Sequence, residues 1–216
     1  MTTTPIAVFL RPPHPGTTKT RLTPSLGSVG AATLYQAFVQ DVVARCRGAR
    51  GLEPELWVAG DVHDPFIRGL CPELRRVRQP DLDLGGRMAT ALEAAVRARG
   101  RGLVIGTDVP TLPAAYLIAA RDALDSADLV LGPSADGGYY LVGVRDNVPD
   151  VFRGVRYSTR HCLADTLERA RAIGVTVALL PPWYDVDTPQ DLRLLRLHVA
   201  LDPTRARVTA ARLGEM

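Results

Sequence analysis

Short apolar runs alternate along the chain with longer stretches whose apolar positions recur every three or four residues. Runs 6–10 (IAVFL), 103–105 (LVI) and 129–131 (LVL) are too short for buried helices and predict buried strands. Segments 56–59, 139–144 and 175–180 predict further strands, and 75–79 a short edge strand. In 29–47, Leu34, Phe38, Val42 and Cys46 fall at four-residue intervals, which puts them on one face of a helix. Helices are also predicted over 87–99, 114–126 and 161–173, the last closed by Gly174 just past its end. Another helix starts at Thr188, which has cap chemistry, with Pro189 in the first position and Asp191 in the third.

Strands separated by helices of about 10–15 residues imply βαβ units and a mostly parallel sheet. The chain of 216 residues contains no internal repeat and no linker that divides it, so one domain over 1–200 is expected. Residues 201–216 are expected to form a peripheral C-terminal helix or tail. Ligands of open α/β sheets sit beyond the carboxyl ends of the strands. The chemistry is therefore sought in the loops that follow strands.

Composition narrows the classes. Hydrophobic residues make up 46% and charged residues 23%, ordinary values for a folded domain. The net charge of +3 is small, and the densest basic stretches, 75–78 and 97–101, lack interleaved aromatics. No nucleic-acid partner is expected; small anionic substrates fit better. Three scattered cysteines, Cys46, Cys71 and Cys162, argue against a disulfide framework or zinc site and for a reducing compartment. No apolar stretch approaches a membrane span, and the first residues lack a signal-peptide pattern. A cytoplasmic protein with no membrane partner is expected; the oligomeric state is left open.

One residue breaks the compositional habit. Lys19 is the only lysine among 26 Lys and Arg, and it lies in the loop after the first strand. There Gly16 lets backbone amides approach an anion, Thr20 adds a hydroxyl, and Lys19 and Arg21 supply charge, the first as a point and the second as a fork. The alternative is a solvated turn with incidental charge. After 103–105, Asp108 is held between Gly106 and the prolines Pro110 and Pro113. A stiff, partly desolvated carboxylate needs a cation, and Mg²⁺, which takes a carboxylate or two plus substrate phosphates, is a natural partner. The alternative is that Asp108 caps the helix beginning near 114.

Segment 132–140 reads either as a plain Asp-Gly-Gly hairpin or as a substrate wall, with Asp136, Gly137 and Gly138 presenting backbone groups and Tyr139 or Tyr140 a ring. Asp185 and Asp187 flank Val186 in an extended stretch and are read as facing opposite ways, with Asp187, next to the helix cap, pointing inward. Asp108 and Asp187 could then share one divalent ion; the alternative leaves Asp187 as surface charge near a helix start. Two further stretches add weaker signals. Gln79, Gly85 and Gly86 could close over a base or ribose, and Ser158, Thr159 and Arg160 offer donors and charge to an acceptor. The histidines form no metal set, and no nucleophile elbow appears.

Taken in order, "PGTTKTRL", "GTDVPTLP", "GPSADGGYYLVG" and "WYDVDTPQDL" resemble the DUF2064 family of the glycosyltransferase-A / nucleotide-diphospho-sugar transferase superfamily. The resemblance runs over roughly residues 5–197, and the layout is similar to 2-phospho-lactate guanylyltransferases and molybdenum-cofactor guanylyltransferases. It implies a Rossmann-like α/β/α sandwich of three layers that binds a nucleotide with Mg²⁺ or Mn²⁺. It matches Asp108 and Asp187 to the metal-holding acids, and Lys19 and Arg21 to the cations of the phosphate loop. Relatives carry a lysine near the start of that loop where this chain has Arg11, which keeps the charge.

The expected activity is metal-dependent nucleotidyl transfer, in which an NTP is joined to a phosphorylated small molecule with release of pyrophosphate. Lys19 and Arg21 would hold the triphosphate, with Arg11, Gly16, Thr20, Gln79, Gly85 and Gly86 around the nucleotide. Asp136, Gly137, Gly138, Tyr139, Ser158 and Thr159 would orient the acceptor. Glycosyl transfer from a nucleotide-diphospho-sugar to a sugar or small anionic acceptor is the alternative. It would need less cationic charge in the first loop and a carboxylate base such as Asp136. A non-catalytic nucleotide-binding module is a third reading, and it leaves the acidic pair unexplained.

Overall fold

The structure is a computed structural model describing residues 3–216. Its strands are β1 (Thr4–Leu10), β2 (Leu52–Val58), β3 (Arg76–Arg78), β4 (Arg101–Gly106), β5 (Leu129–Pro133), β6 (Tyr139–Arg145) and β7 (Val177–Leu179). Its helices are α1 (Thr23–Gly48), α2 (Pro65–Leu70), α3 (Leu84–Arg99), α4 (Ala114–Ala123), α5 (Cys162–Ala172), α6 (Pro189–Leu201) and α7 (Arg207–Gly214). The seven strands form one sheet in the order β3-β2-β1-β4-β6-β5-β7. All strand pairs are parallel except the two made by β6, which runs antiparallel to β4 and β5.

Alternation along the strands divides the core between two faces. Ile6, Val8, Leu10, Leu103 and Ile105 pack with Leu34, Phe38 and Val42 of α1 and with Leu117 of α4 and Leu195 of α6. Ala7, Val104, Val142 and Val144 point the other way, onto Met88 and Leu92 of α3 and Ala170 of α5. The result is the three-layer α/β/α sandwich that the family resemblance implies, built on the mostly parallel sheet expected from the pattern.

Several boundaries differ from the sequence reading. Helix α1 starts at Thr23, with Pro24 near its first position, and continues through a kink at Gly27 (φ 70°), where its apolar periodicity is interrupted. Helix α2 falls in what reads as an Asp- and Pro-rich loop; Asp64 caps it by accepting from the Phe66 and Ile67 amides. Helix α3 begins at Leu84, capped by Asp83, which accepts from Gly86 N at 2.7 Å. Gly85 and Gly86 therefore lie in a helical turn. At the chain's end, α7 docks on α1: Asp41, buried, accepts from Val208 N at 3.1 Å and Thr209 N at 2.8 Å, so a carboxylate from one helix caps another. The edge position of β3, the left-handed Gly174 after α5 and the Thr188–Asp191 capping box agree with the sequence.

Candidate nucleotide-transfer site

Four loops meet beyond the carboxyl ends of the parallel strands: 11–22 after β1, 107–113 after β4, the β5–β6 turn and 180–188 after β7. Backbone bonds hold them together. Val186 N donates to Asp108 O at 2.9 Å, which fixes the β4 and β7 loops side by side. Ala135 N donates to Trp183 O at 2.9 Å, and Trp183 N to Pro133 O at 3.0 Å, which join the hairpin to the same strip. The first loop is anchored by the buried Pro12, Pro13 and Leu22. Lys19 turns through a left-handed conformation (φ 49°, ψ 40°), costly for a side-chain-bearing residue and tolerated where the surroundings fix it.

The centre of the site is a charge triad. Lys19 Nζ lies 2.6 Å from Asp108 Oδ1 and 2.7 Å from Asp187 Oδ1. The lysine side chain is 4% exposed, whereas the two carboxylates are 41% and 38% exposed. Their second oxygens have no hydrogen-bond or ion-pair partner among the described residues. The Tyr35 and Phe38 rings each lie 5.8 Å from the ammonium. Burial alone would lower the lysine pKa; Asp108 and Asp187 outweigh it and hold the amine well above its ordinary value. Asp108 does not cap α4, whose first turn follows Pro113 without a side-chain cap.

Two cavities open on this triad. The larger, about 390 Å³, is lined by Arg11, Gln79, Asp108, Asp136, Gly138, Tyr139, Ser158, Thr159, Asp185 and Asp187, with Leu84, Arg87, Met88, Tyr140 and Tyr157 around them. The smaller, about 350 Å³, is lined by Arg11, Thr17, Thr18, Lys19, Thr20 and Arg21, and by Asp108, Asp136, Ser158 and Asp187. Arg11, Tyr35, Asp108, Asp136, Ser158 and Asp187 belong to both walls. Tyr35 is held by its phenol, which accepts from Arg11 N at 3.3 Å and lies 2.9 Å from Thr107 Oγ1.

Most of the residues singled out from sequence therefore converge. Four glycines do not line either cavity. Gly16 (φ 79°) is exposed at the loop tip. Gly85 is packed under Tyr157, where a side chain would collide with the phenol, and Gly86 supports the α3 cap. Gly137 (φ 89°) lies against the Arg160 backbone and accepts from Leu163 N at 2.9 Å, which locks the hairpin to the 158–163 segment. The 134–138 segment is a hairpin turn and a cavity wall at once: Asp136 Oδ1 accepts from Gly138 N at 2.9 Å within the turn. Gln79 donates to Trp57 O at 2.8 Å. Thr159 donates to Arg156 O at 2.7 Å. Ser158 adopts a positive φ of 60° at the cavity edge.

The pairing of Asp185 and Asp187 is corrected by the structure. Both line the larger cavity, and Val186 between them is fully buried. In an extended chain, residues two apart share a face, so the one directed into the core is the valine. Asp185 accepts from Ser134 Oγ. Burial raises its carboxyl to about 7; the Ser134 bond opposes that, and the charges of Asp108, Asp136 and Asp187 add to it. Asp185, Ser134 and Tyr35 were not singled out as site residues, though the same two-residue alternation that makes Val186 a core residue points to Asp185.

Comparison with known proteins identifies the family and the fold. The chain is 35% identical to a provisionally named nucleotide-diphospho-sugar transferase from Desulfovibrio desulfuricans G20, with a TM-score of 0.92 over 100% of this chain and 95% of that one. It is 25% identical over 184 residues to the 2-phospho-L-lactate guanylyltransferase of Methanothermobacter thermautotrophicus, spanning 83% of this chain and 79% of the relative. The 4-diphosphocytidyl-2C-methyl-D-erythritol synthase of Anaerococcus prevotii DSM 20548 shares the fold at 11% identity, with a TM-score of 0.59 over 92% of this chain and 96% of that one. The model of DUF2064, described as an uncharacterized protein conserved in bacteria, matches residues 42–159; the Lys19 and Asp187 loops lie outside that span. With more than half of its length matched by that model and its whole fold shared with a transferase, the chain belongs to the DUF2064 family and has the fold of the nucleotide-diphospho-sugar transferases.

Proposed function

We propose that the chain is a nucleotidyltransferase that joins a nucleoside triphosphate to a phosphorylated small molecule and releases pyrophosphate. One observation carries this reading: a strongly polar cavity with two arginines that form no ion pair among the described residues adjoins a mixed polar and aromatic one, and Asp108 and Asp187 stand in the shared wall. Arg11 and Arg21 are exposed and have no ion-pair partner among the described residues, so their charge is available to phosphates. Thr20 adds a hydroxyl beside them. The wider cavity offers Gln79, Leu84 and Met88 to a base and Tyr139, Ser158 and Thr159 to an acceptor. The guanylyltransferase relative and the cytidylyl-type fold neighbours support the same class.

The donor set suits Mg²⁺ or Mn²⁺. Two carboxylates from loops far apart in sequence already meet on one cation, and both residues are partly exposed and line the two cavities. Hard oxygen donors in that number, completed by substrate phosphates, are what Mg²⁺ takes. When bound, the ion would neutralise phosphate charge as it develops. The chain's own residues do the rest. Arg11 and Arg21 bind the polyphosphate, and the hairpin and the 158–160 segment orient the acceptor. An acceptor phosphate oxygen then forms a bond to the α-phosphorus as the α–β phosphoanhydride bond breaks and pyrophosphate leaves. Such in-line transfer needs positioning and charge more than a covalent nucleophile.

The test is to incubate the protein with each NTP, Mg²⁺ and a panel of sugar and acid phosphates while following pyrophosphate. Release that depends on both substrates is expected. Release of UDP or GDP from a nucleotide sugar, with no pyrophosphate from any NTP pair, would instead assign glycosyl transfer.

A further inference from the structure

The position of Lys19 does not match that of a simple phosphate clamp. A clamp presents unspent charge to its ligand. Here one buried ammonium lies between two carboxylates at 2.6 and 2.7 Å, under two aromatic rings. The three groups together carry a net charge of −1, and Asp136 in the same wall adds another carboxylate. Arg11 and Arg21 show the contrasting arrangement, exposed and without an ion pair among the described residues.

The triad's charges oppose each ligand when it comes alone. A polyphosphate entering the smaller cavity meets the two triad carboxylates and Asp136 beside Arg11 and Arg21. A divalent cation approaching Asp108 and Asp187 meets an ammonium already on them, and like charges a few ångströms apart in a partly dry site repel strongly. When the two arrive together, the cation offsets the carboxylates and the phosphates offset the ammonium. We infer that Lys19 is a built-in counter-ion of the Asp108–Asp187 pair that makes entry of the divalent cation conditional on the polyphosphate. It acts through the two carboxylates as a positioning residue. The inference rests on the metal reading above and adds to it which residue holds the acids while no metal is bound, and why metal and nucleotide enter together.

Mn²⁺ alone is the probe. Binding is measured on the full chain by the loss of the free-ion paramagnetic resonance signal, without nucleotide, for wild type, Lys19→Met and Lys19→Arg, with circular dichroism as a check of folding. Lys19→Gln serves as a second uncharged variant should the methionine variant unfold. Loss of the ammonium is expected to tighten Mn²⁺ binding at least tenfold, and Lys19→Arg to stay within about threefold of wild type. Adding Asp187→Asn to Lys19→Met is expected to abolish the gain, as the double-mutant cycle requires when both residues act on one site. Equal or weaker Mn²⁺ binding by the uncharged variants overturns the counter-ion role and leaves the metal reading standing. Absence of Mn²⁺ binding in every variant, with GTP or CTP present as well as without, overturns both.

Discussion

Lys19 and Asp187 stand 168 positions apart in sequence and meet at 2.7 Å, ammonium to carboxylate. The contact joins the loop after the first strand to the loop after the last, with Asp108 from the central strand as the third member. The ion triad thus gathers three separate loops at one end of the sheet. A lysine so buried is tolerated because two charges answer it.

Replacing Asp187 by Asn removes one of those charges and one of the two candidate metal ligands. Nucleotidyl transfer is expected to fall by about 10²–10³-fold, comparable with the loss of one electrostatic stabiliser of a transition state. Asp108 still pairs with the amine, so the fold should persist. Steady-state kinetics beside a thermal melt separate the two effects.

Arg21 faces the smaller cavity in the open and has no ion pair among the described residues. Arg21→Ala should leave stability within about 0.5 kcal/mol, as for an exposed site. It should weaken nucleotide affinity by about tenfold, roughly 1.4 kcal/mol, the scale of one charge-assisted hydrogen bond. Nucleotide titration by calorimetry at two salt concentrations reads both the loss and its electrostatic origin.

Asp185 supplies a pH dependence. Its carboxyl is raised from 3.8 to about 7 by burial and by Asp108, Asp136 and Asp187, against the Ser134 bond. Between those values the folded protein keeps a proton that the unfolded chain has lost. Stability therefore falls as pH rises from about 4 to about 7 and levels off above. Asp185→Asn removes that titration. At pH 8 in chelator the variant should be more stable than wild type by about 1–2 kcal/mol, and the difference should vanish near pH 4. Denaturant midpoints across that range measure it.

Gly137 combines a φ of 89° with a backbone packed on Arg160. Gly137→Ala introduces both a left-handed strain and a collision with that backbone. A cost of about 2–4 kcal/mol is expected, with acceptor binding weakened more than nucleotide binding, because the displaced segment carries Ser158 and Thr159. Urea unfolding and separate KM values for the two substrates check the prediction.

Much of this was legible in the chain. Strand runs such as 6–10 and 129–131 and the βαβ rhythm led to the mostly parallel sheet, and Thr188 as a cap to the start of α6, because apolar period and cap chemistry are local properties. The isolated lysine and the stiff Asp108 marked two loops that the structure brings together. Their mutual contact was not legible, since spacing says nothing of which loops touch across a sheet. The Asp185–Asp187 pair was misread although the alternation rule was at hand: residues two apart share a face, and the fully buried Val186 is the outlier. Helix α2 escaped because Asp64 and Pro65 look like turn residues before they are seen as cap and first position. The capping of α7 by Asp41 depends on a tertiary contact between distant segments and has no local signature.

The most direct test of the central claim follows the α-phosphate. An NTP labelled with ³²P at the α position is incubated with Mg²⁺ and the acceptor panel, using wild type, Asp108→Asn and Asp187→Asn. The label is expected to pass into a new acceptor–nucleotide conjugate with one pyrophosphate released per transfer, and both variants should slow the transfer at least a hundredfold. An unlabelled conjugate, or label transfer by either variant at the wild-type rate, would contradict the account.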